Sequence, residues 1–271
     1  MISEEIIIPA AERKLENHTS LRMTLSNVLT MAYRNVILIR RTPQHLFDVT
    51  IQPILFTLLF TFLFGGAVSG SVHNYLPIII PGILGQTVLT ACMATGVQLR
   101  EDMDKGVFNR FKSFPMSRIA PLAGPLLADV IRYGIATVLT LVMGYLLGYR
   151  WVSIGGAVVG CLLVILAAWS ISWIFALLGT VARTAQTVQG ISTAILFPLA
   201  FLSGAFVPTS TLPGWLQAFV NINSLTYIVS ATRQLLNYGT IGNDFWLSLI
   251  GSLAIVAIFA PITLAAYMRK A

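Results

Sequence analysis

The side chains that could carry chemistry in this chain are few and far apart. Its three histidines, His18, His45 and His73, stand alone, so there is no HExxH or comparable spacing to ligate a metal. Ser203 and Gly204 in FLSG lack the preceding glycine of a nucleophile elbow, and no histidine lies at their depth to act as base. GxxxxGK[ST] is absent, so the chain has no loop of its own to cradle ATP. Catalysis is not expected in this polypeptide, and neither a metal nor a cofactor is expected in it. Two charges do share a spacing: Asp129 and Arg132, at i and i+3, meet on one helix face. Near the base of their helix, such a pair is expected to be structural rather than a proton or substrate site.

The densest polar stretch is LREDMDKGVFNRFKSFPMSR, Leu99 to Arg118. Wound as a helix from Glu101 to Lys112, it opens with Glu101, Asp102 and Asp104 and continues with Lys105, Arg110 and Lys112, matching the helix dipole at both ends. Val107, Phe111 and Phe114 form an apolar ridge, and Pro115 stops the helix. An aromatic ridge framed by both signs of charge fits a protein contact, in which buried aromatics give affinity and the rim gives register. An ordinary basic loop with its phenylalanines in the membrane interface is the alternative.

The elements that must position these residues follow from composition. The chain of 271 residues is 56% hydrophobic and 10% charged, with mean hydropathy +0.81, against roughly 25% charged residues in soluble domains. It reads as an all-α integral membrane protein. Runs of about 20 apolar residues, the length that crosses a bilayer, occur at Val49–Val68, Pro77–Gln98, Leu126–Gly148, Ile154–Leu178, Val188–Val207 and Phe245–Met268. Six spans leave no room for a soluble catalytic domain. Cys92 and Cys161 fall inside them and behave as small hydrophobes.

Residues 1–23, rich in glutamate and without the basic start and apolar core of a signal peptide, are expected to be a cytoplasmic tail. Residues 24–45 precede the first span and place Leu25, Val28, Leu29, Ala32, Val36 and Ile39 on one stripe, opposite Asn27, Arg34 and Arg41. That is the pattern of an amphipathic helix lying in the interface. Residues 46–271 form the six-helix domain, with the polar loop 99–118 on one side. The segment 203–244 carries two short apolar helices, around Trp215–Val220 and Leu225–Leu236, and is expected to re-enter the membrane from the outside. Of the 17 basic residues, all but Arg132, Arg150 and Arg233 fall on the side of the polar loop and both termini. The positive-inside rule makes that side the cytoplasm. Anionic lipid headgroups then account for the net charge of +7, and no nucleic acid is implied.

EDMDKGVFNRFKSFPMSR resembles the cytoplasmic signature of ABC-2 type permeases, an acidic residue followed by a glycine, a basic residue and a proline. FDVTIQPILFTLLFTFLFGGAVSGSVHNYLPIIIPGILGQTVL and PGWLQAFVNINSLTYIVSATRQLL are similar to the membrane subunits of daunorubicin and doxorubicin resistance exporters, the DrrB-like branch. The resemblance runs in order from about Arg34 to Arg269. It implies a bacterial cell-membrane permease that pairs with a second copy of itself and binds two copies of a DrrA-like ATPase subunit, which holds the ATP and Mg. The loop would be the coupling helix, with Glu101, Asp102, Lys105, Gly106, Val107, Arg110, Phe111, Pro115 and Arg118 as its ATPase-contacting positions. The cargo implied is a hydrophobic or amphiphilic drug; a lipid or lipid-linked polysaccharide is the alternative. An intramembrane hydrolase or a scaffold is the reading from a different class. An apolar, aromatic path suits a hydrophobic cargo, and Phe56, Phe60, Phe64, Gln86, Phe197 and Phe201 are its candidate faces.

Overall fold

A computed structural model describes residues 21–41, 43–107, 117, 119–206 and 213–270. Among the described residues there are nine helices and no strand: α1 Leu21–Arg41, α2 Pro43–Ser69, α3 Val72–Asp104, α4 Ala120–Leu146, α5 Ile154–Val181, α6 Ala185–Phe201, α7 Gly214–Ile222, α8 Ser224–Tyr238 and α9 Asn243–Lys270. Five are long and apolar enough to cross a membrane: α2 over Thr50–Ser69, α3, α4, α5 and α9 over Asn243–Arg269. The chain is a multi-pass membrane protein. α6 is apolar but has only 17 residues, a length of about 25 Å at 1.5 Å per residue.

Helix starts follow local chemistry. Ser71, Ser153, Thr184 and Asn223 cap α3, α5, α6 and α8, each accepting a hydrogen bond from a backbone N–H of the first turn. α3 is the centre of the bundle, in contact with α2, α4, α5, α6 and α8. Its Tyr75, Leu76, Ile79, Ile80, Ile83 and Leu84 are fully buried. Lower in α3, Gly96 meets α5 backbone to backbone. A Cβ on Gly96 would overlap the carbonyl of Phe175, and one on Gly179 would overlap the carbonyl of Gly96.

The other end of α3 carries Pro77 and Pro81. Pro81 has no N–H, which leaves the Pro77 carbonyl without its helical donor. Asn237 of α8 supplies one: its Nδ2 donates to that oxygen at 2.8 Å. Arg233, one turn earlier, donates to the carbonyls of Ile78 (3.2 Å) and Gly204 (3.0 Å). The Tyr149 hydroxyl donates to Asn237 Oδ1 at 2.5 Å, and burial in the α4–α5 loop raises that hydroxyl's pKa well above the usual tyrosine value. Side chains of α8 thus supply donors to the Pro77 and Ile78 carbonyls of α3.

Four details differ from the sequence reading. α3 extends from Val72 to Asp104 and α4 begins at Ala120, so the spans around the polar loop are longer than their apolar runs. α6 stops at Phe201, short of Val207, where the chain turns through Gly204 at φ 65°. Pro43 to His45, placed in the interfacial segment by the sequence, are helical residues of α2, and the junction at residue 42 lies outside the described residues. On α1 the buried face is Met31, Ala32 and Asn35, packed on α4, while Leu25 and Leu29 are exposed. Only part of the expected stripe therefore turns inward.

Candidate coupling end and intramembrane site

At the end of α3, Arg100 and Asp104 form an ion pair, and Lys105 Nζ lies 3.0 Å from Glu101 Oε2. The hydrogen bond to Glu101 raises the Lys105 pKa above its ordinary value, and the charge of Asp102 adds to it. Lys105 caps the helix through its backbone N–H, which donates to Glu101 O at 2.9 Å. Gly106 follows at φ 66°, a left-handed conformation that glycine adopts without strain. The expected continuous helix from Glu101 to Lys112 is therefore broken at Lys105–Gly106. The acids and the first base end α3, and Val107, half-buried, begins a new direction. Arg110, Phe111, Phe114, Pro115 and Arg118 lie outside the described residues.

The end of α3 is tied to the α5–α6 turn, since Arg100 Nη1 donates to the Ala182 carbonyl at 2.9 Å. Glu101, Asp104 and Lys105 are exposed. Both signs of charge are thus presented at one helix end fixed to two spans, an arrangement suited to a docking protein.

Asp129 and Arg132 pair as their spacing predicted, at 3.0 Å. Their place along the helix differs from the expected first turns. α4 starts six residues before the apolar run suggested, which puts Asp129 about 13 Å from its first residue. Both are buried, at 3% and 2% exposure. The Thr95 hydroxyl donates to Asp129 Oδ2 at 2.5 Å and is 3.2 Å from the Tyr133 hydroxyl. Arg132 Nη2 donates to the Ala91 carbonyl at 2.6 Å and to Thr95 Oγ1 at 3.0 Å. The pair therefore belongs to a four-residue polar node joining α3 to α4. Thr95 and Tyr133 were not singled out in the sequence; Tyr133 stands at i+4 from Asp129, whereas Thr95, on α3, carries no signal of its own.

The aromatic candidates come together in a ladder. Phe56, Phe60 and Phe64 of α2 stack at centroid separations of 5.8 and 5.6 Å. Phe60 continues to Phe206 at 4.6 Å, Phe206 to Phe201 at 5.1 Å, and Phe201 to Phe197 at 4.5 Å. Phe206, absent from the sequence candidates, is the rung that joins α2 to α6. Phe60 is core, whereas Phe197 and Phe201 are exposed. Gln86 and Phe197 share a small cavity of about 110 Å³ with Thr90, Met93 and Thr193. Gln86 Oε1 is buried there without a hydrogen-bond partner. The same side of α6 exposes Gln186, Gln189 and Thr193, because only Val188, Ser192, Leu196 and Ala200 are buried.

Comparison with known proteins places the whole chain rather than single residues. The sequence pattern of the family described as ABC-2 type transporter matches residues 26–237. The daunorubicin resistance ABC transporter permease protein DrrB1 of Streptomyces coeruleorubidus is 42% identical over 252 residues, 91% of this chain and 87% of that protein. The doxorubicin resistance ABC transporter permease protein DrrB of Mycobacterium tuberculosis is 31% identical over 172 residues, 63% of this chain and 60% of that protein. The inner membrane transport permease YadH of Escherichia coli K12 is 24% identical over 222 residues, 77% of this chain and 81% of that protein.

Proposed function

The chain belongs to the ABC-2 type transporter family, and from that premise we propose that it is the permease subunit of an exporter that moves hydrophobic or amphiphilic drugs out of the cell. The observation that carries this reading is the 42% identity to DrrB1 across 91% of the chain. In the proposed assembly two copies pair in the bacterial membrane, both termini are cytoplasmic, and α6 is the sixth span. α7 and α8 re-enter from outside. Residues 1–23, 24–45 and 46–271 are the tail, the interfacial helix and the transmembrane domain.

ATP and Mg would be held by a separate DrrA-like ATPase, for which the residues of this chain provide the contact. Glu101, Asp102, Lys105, Gly106 and Val107 present the end of α3, and Arg110, Phe111, Pro115 and Arg118 extend the contact. The tie from Arg100 to Ala182 supports this role, because displacement of the loop is transmitted at once to α3, α5 and α6. Pairing is supported by the exposed Gln186, Gln189 and Thr193 of α6, whose polar groups are costly to leave against lipid and need a second copy or a water-lined path to satisfy them. Phe197, Phe201 and Gln86 would face that path, with Phe56, Phe60 and Phe64 behind them.

Co-expression with a DrrA-like ATPase tests the reading. Detergent-purified wild-type chain should retain the ATPase, and proteoliposomes of the complex should accumulate doxorubicin on ATP addition. Gly106→Ala and Phe111→Ala should weaken ATPase retention while leaving the permease folded. Full retention and transport in both variants would remove the loop from the interface.

A further inference from the structure

An apolar cavity lies on another face of α6 from its exposed amides. α5 and α6 leave their connecting turn as a V and touch each other sparingly, since both lean on α3. α5 is held there by the Gly96–Gly179 contact and α6 by its Val188, Ser192, Leu196 and Ala200 stripe. The V is propped at both ends. At its base the Ala182 carbonyl accepts the bond from Arg100. At its open end Asn223, between α7 and α8, donates from Nδ2 to the carbonyls of Leu199 (2.7 Å) and Leu202 (3.0 Å) and accepts from Leu225 N–H at 3.0 Å.

The space so preserved is about 390 Å³, within the range of small-molecule sites. Ile174, Phe175 and Leu178 of α5, Ile195 and Leu199 of α6 and Leu225 of α8 make its wall. Asn223 and Ser224 are its only polar lining residues, and the Asn223 amide is already engaged. A cargo bearing several hydroxyls and an ammonium would strand them against hydrocarbon, at a cost for each. A hydrocarbon chain strands nothing, and leaving the cleft empty forfeits dispersion contacts along every wall. Val181 and Ile195 line the cleft and also belong to the exposed apolar surface, so the space is continuous with the face that meets the bilayer.

We infer that this cleft holds one acyl chain of a bilayer lipid as a bound component, distinct from the annular lipid around the helices. The bound chain fills the V and sets the spacing of α5 and α6. The inference rests on the membrane character of the chain and requires neither the ATPase nor transport.

The test uses the full chain in bilayers containing phosphatidylcholine with a diazirine on its acyl chain, photolysed and mapped by peptide mass spectrometry. Labelling at Ile174, Leu178 and Ile195 should exceed that at Val142 and Leu253, which are exposed apolar residues outside the cleft. Leu178→Trp and Ile195→Trp should lower cleft labelling about tenfold by occupying the volume of a few methylenes. Equal labelling of the cleft and of Val142 and Leu253 in the wild-type chain would overturn the inference, whether or not the tryptophan variants fold. Loss of cleft labelling on addition of doxorubicin would overturn lipid as the occupant and assign the cleft to the drug. Persistence of labelling with doxorubicin present supports lipid.

Discussion

Removing both Asp129 and Arg132 from the buried node they form with Thr95 and Tyr133 should cost about as much as removing one of them, well short of the sum of the two single losses. Asp129→Ala deletes the acceptor of both Arg132 and the Thr95 hydroxyl and leaves a guanidinium at 2% exposure with no counter-charge in the node. Truncating one member of a buried pair costs about 3–5 kcal/mol. Arg132→Met leaves the Asp129 carboxylate buried without its counter-charge, though still bonded by the Thr95 hydroxyl, so its cost falls at the low end of that range. In the double variant neither charge remains, and the loss reduces to packing and the stranded hydroxyls of Thr95 and Tyr133. The coupling energy should then be about 2–3 kcal/mol, the upper end for residues in one network. Reversible unfolding of wild type, both single variants and the double variant in mixed micelles, followed by circular dichroism, completes the cycle. Losses that add within about 0.5 kcal/mol would refute the reasoning, because independent sites add to that tolerance.

The remaining predictions concern backbone contact and the exposed end of α3. Gly96→Ala and Gly179→Ala should each lower stability by about 1–3 kcal/mol, as overpacking does, and thermal unfolding should show Gly134→Ala, whose Cβ meets only a side-chain carbon at 4.0 Å, to be nearly neutral. Lys105→Ala should cost a few tenths of a kcal/mol through loss of the i,i+4 pair with Glu101. Because the folded-state pKa of Lys105 is raised, that contribution is complete below the ordinary lysine value of about 10.4. It is lost as pH rises through the folded value, so the variant's deficit should be constant from neutral to mildly alkaline pH and shrink only above it.

The sequence was most legible where hydrophobic length alone decides. Four of the six apolar runs lie within helices and the other two, Leu126–Gly148 and Val188–Val207, run past the ends of α4 and α6, while the two short helices before α9 occur where Trp215–Val220 and Leu225–Leu236 placed them. The Asp129–Arg132 pair was readable from its spacing. Its place along the helix was not, because the first turns of α4 hold Pro121, Ala123 and Gly124, which lie outside the apolar run but are helical, with proline in the first turn. The loop after Asp104 misled in the opposite sense. Charge order favoured a continuous helix, and a single glycine at positive φ outweighed it. On α1 the period was right, but the packed face is chosen by the α4 surface, which a sequence of one helix does not contain. Phe206, Thr95 and Tyr133 were missed for the same reason, since each becomes meaningful only when a second helix arrives.

The bonds from Arg233 and Asn237 to α3 span 155 and 160 residues. During synthesis α3 therefore enters the membrane with the Pro77 carbonyl unsatisfied, and the residue that completes it leaves the ribosome more than half a chain later. Until then that end of α3 must keep contact with water or with the insertion machinery. A chain cut before α8 contains every residue of α3 yet not the donors its prolines require. Assembly of that end of α3 is in that sense conditional on the arrival of α8.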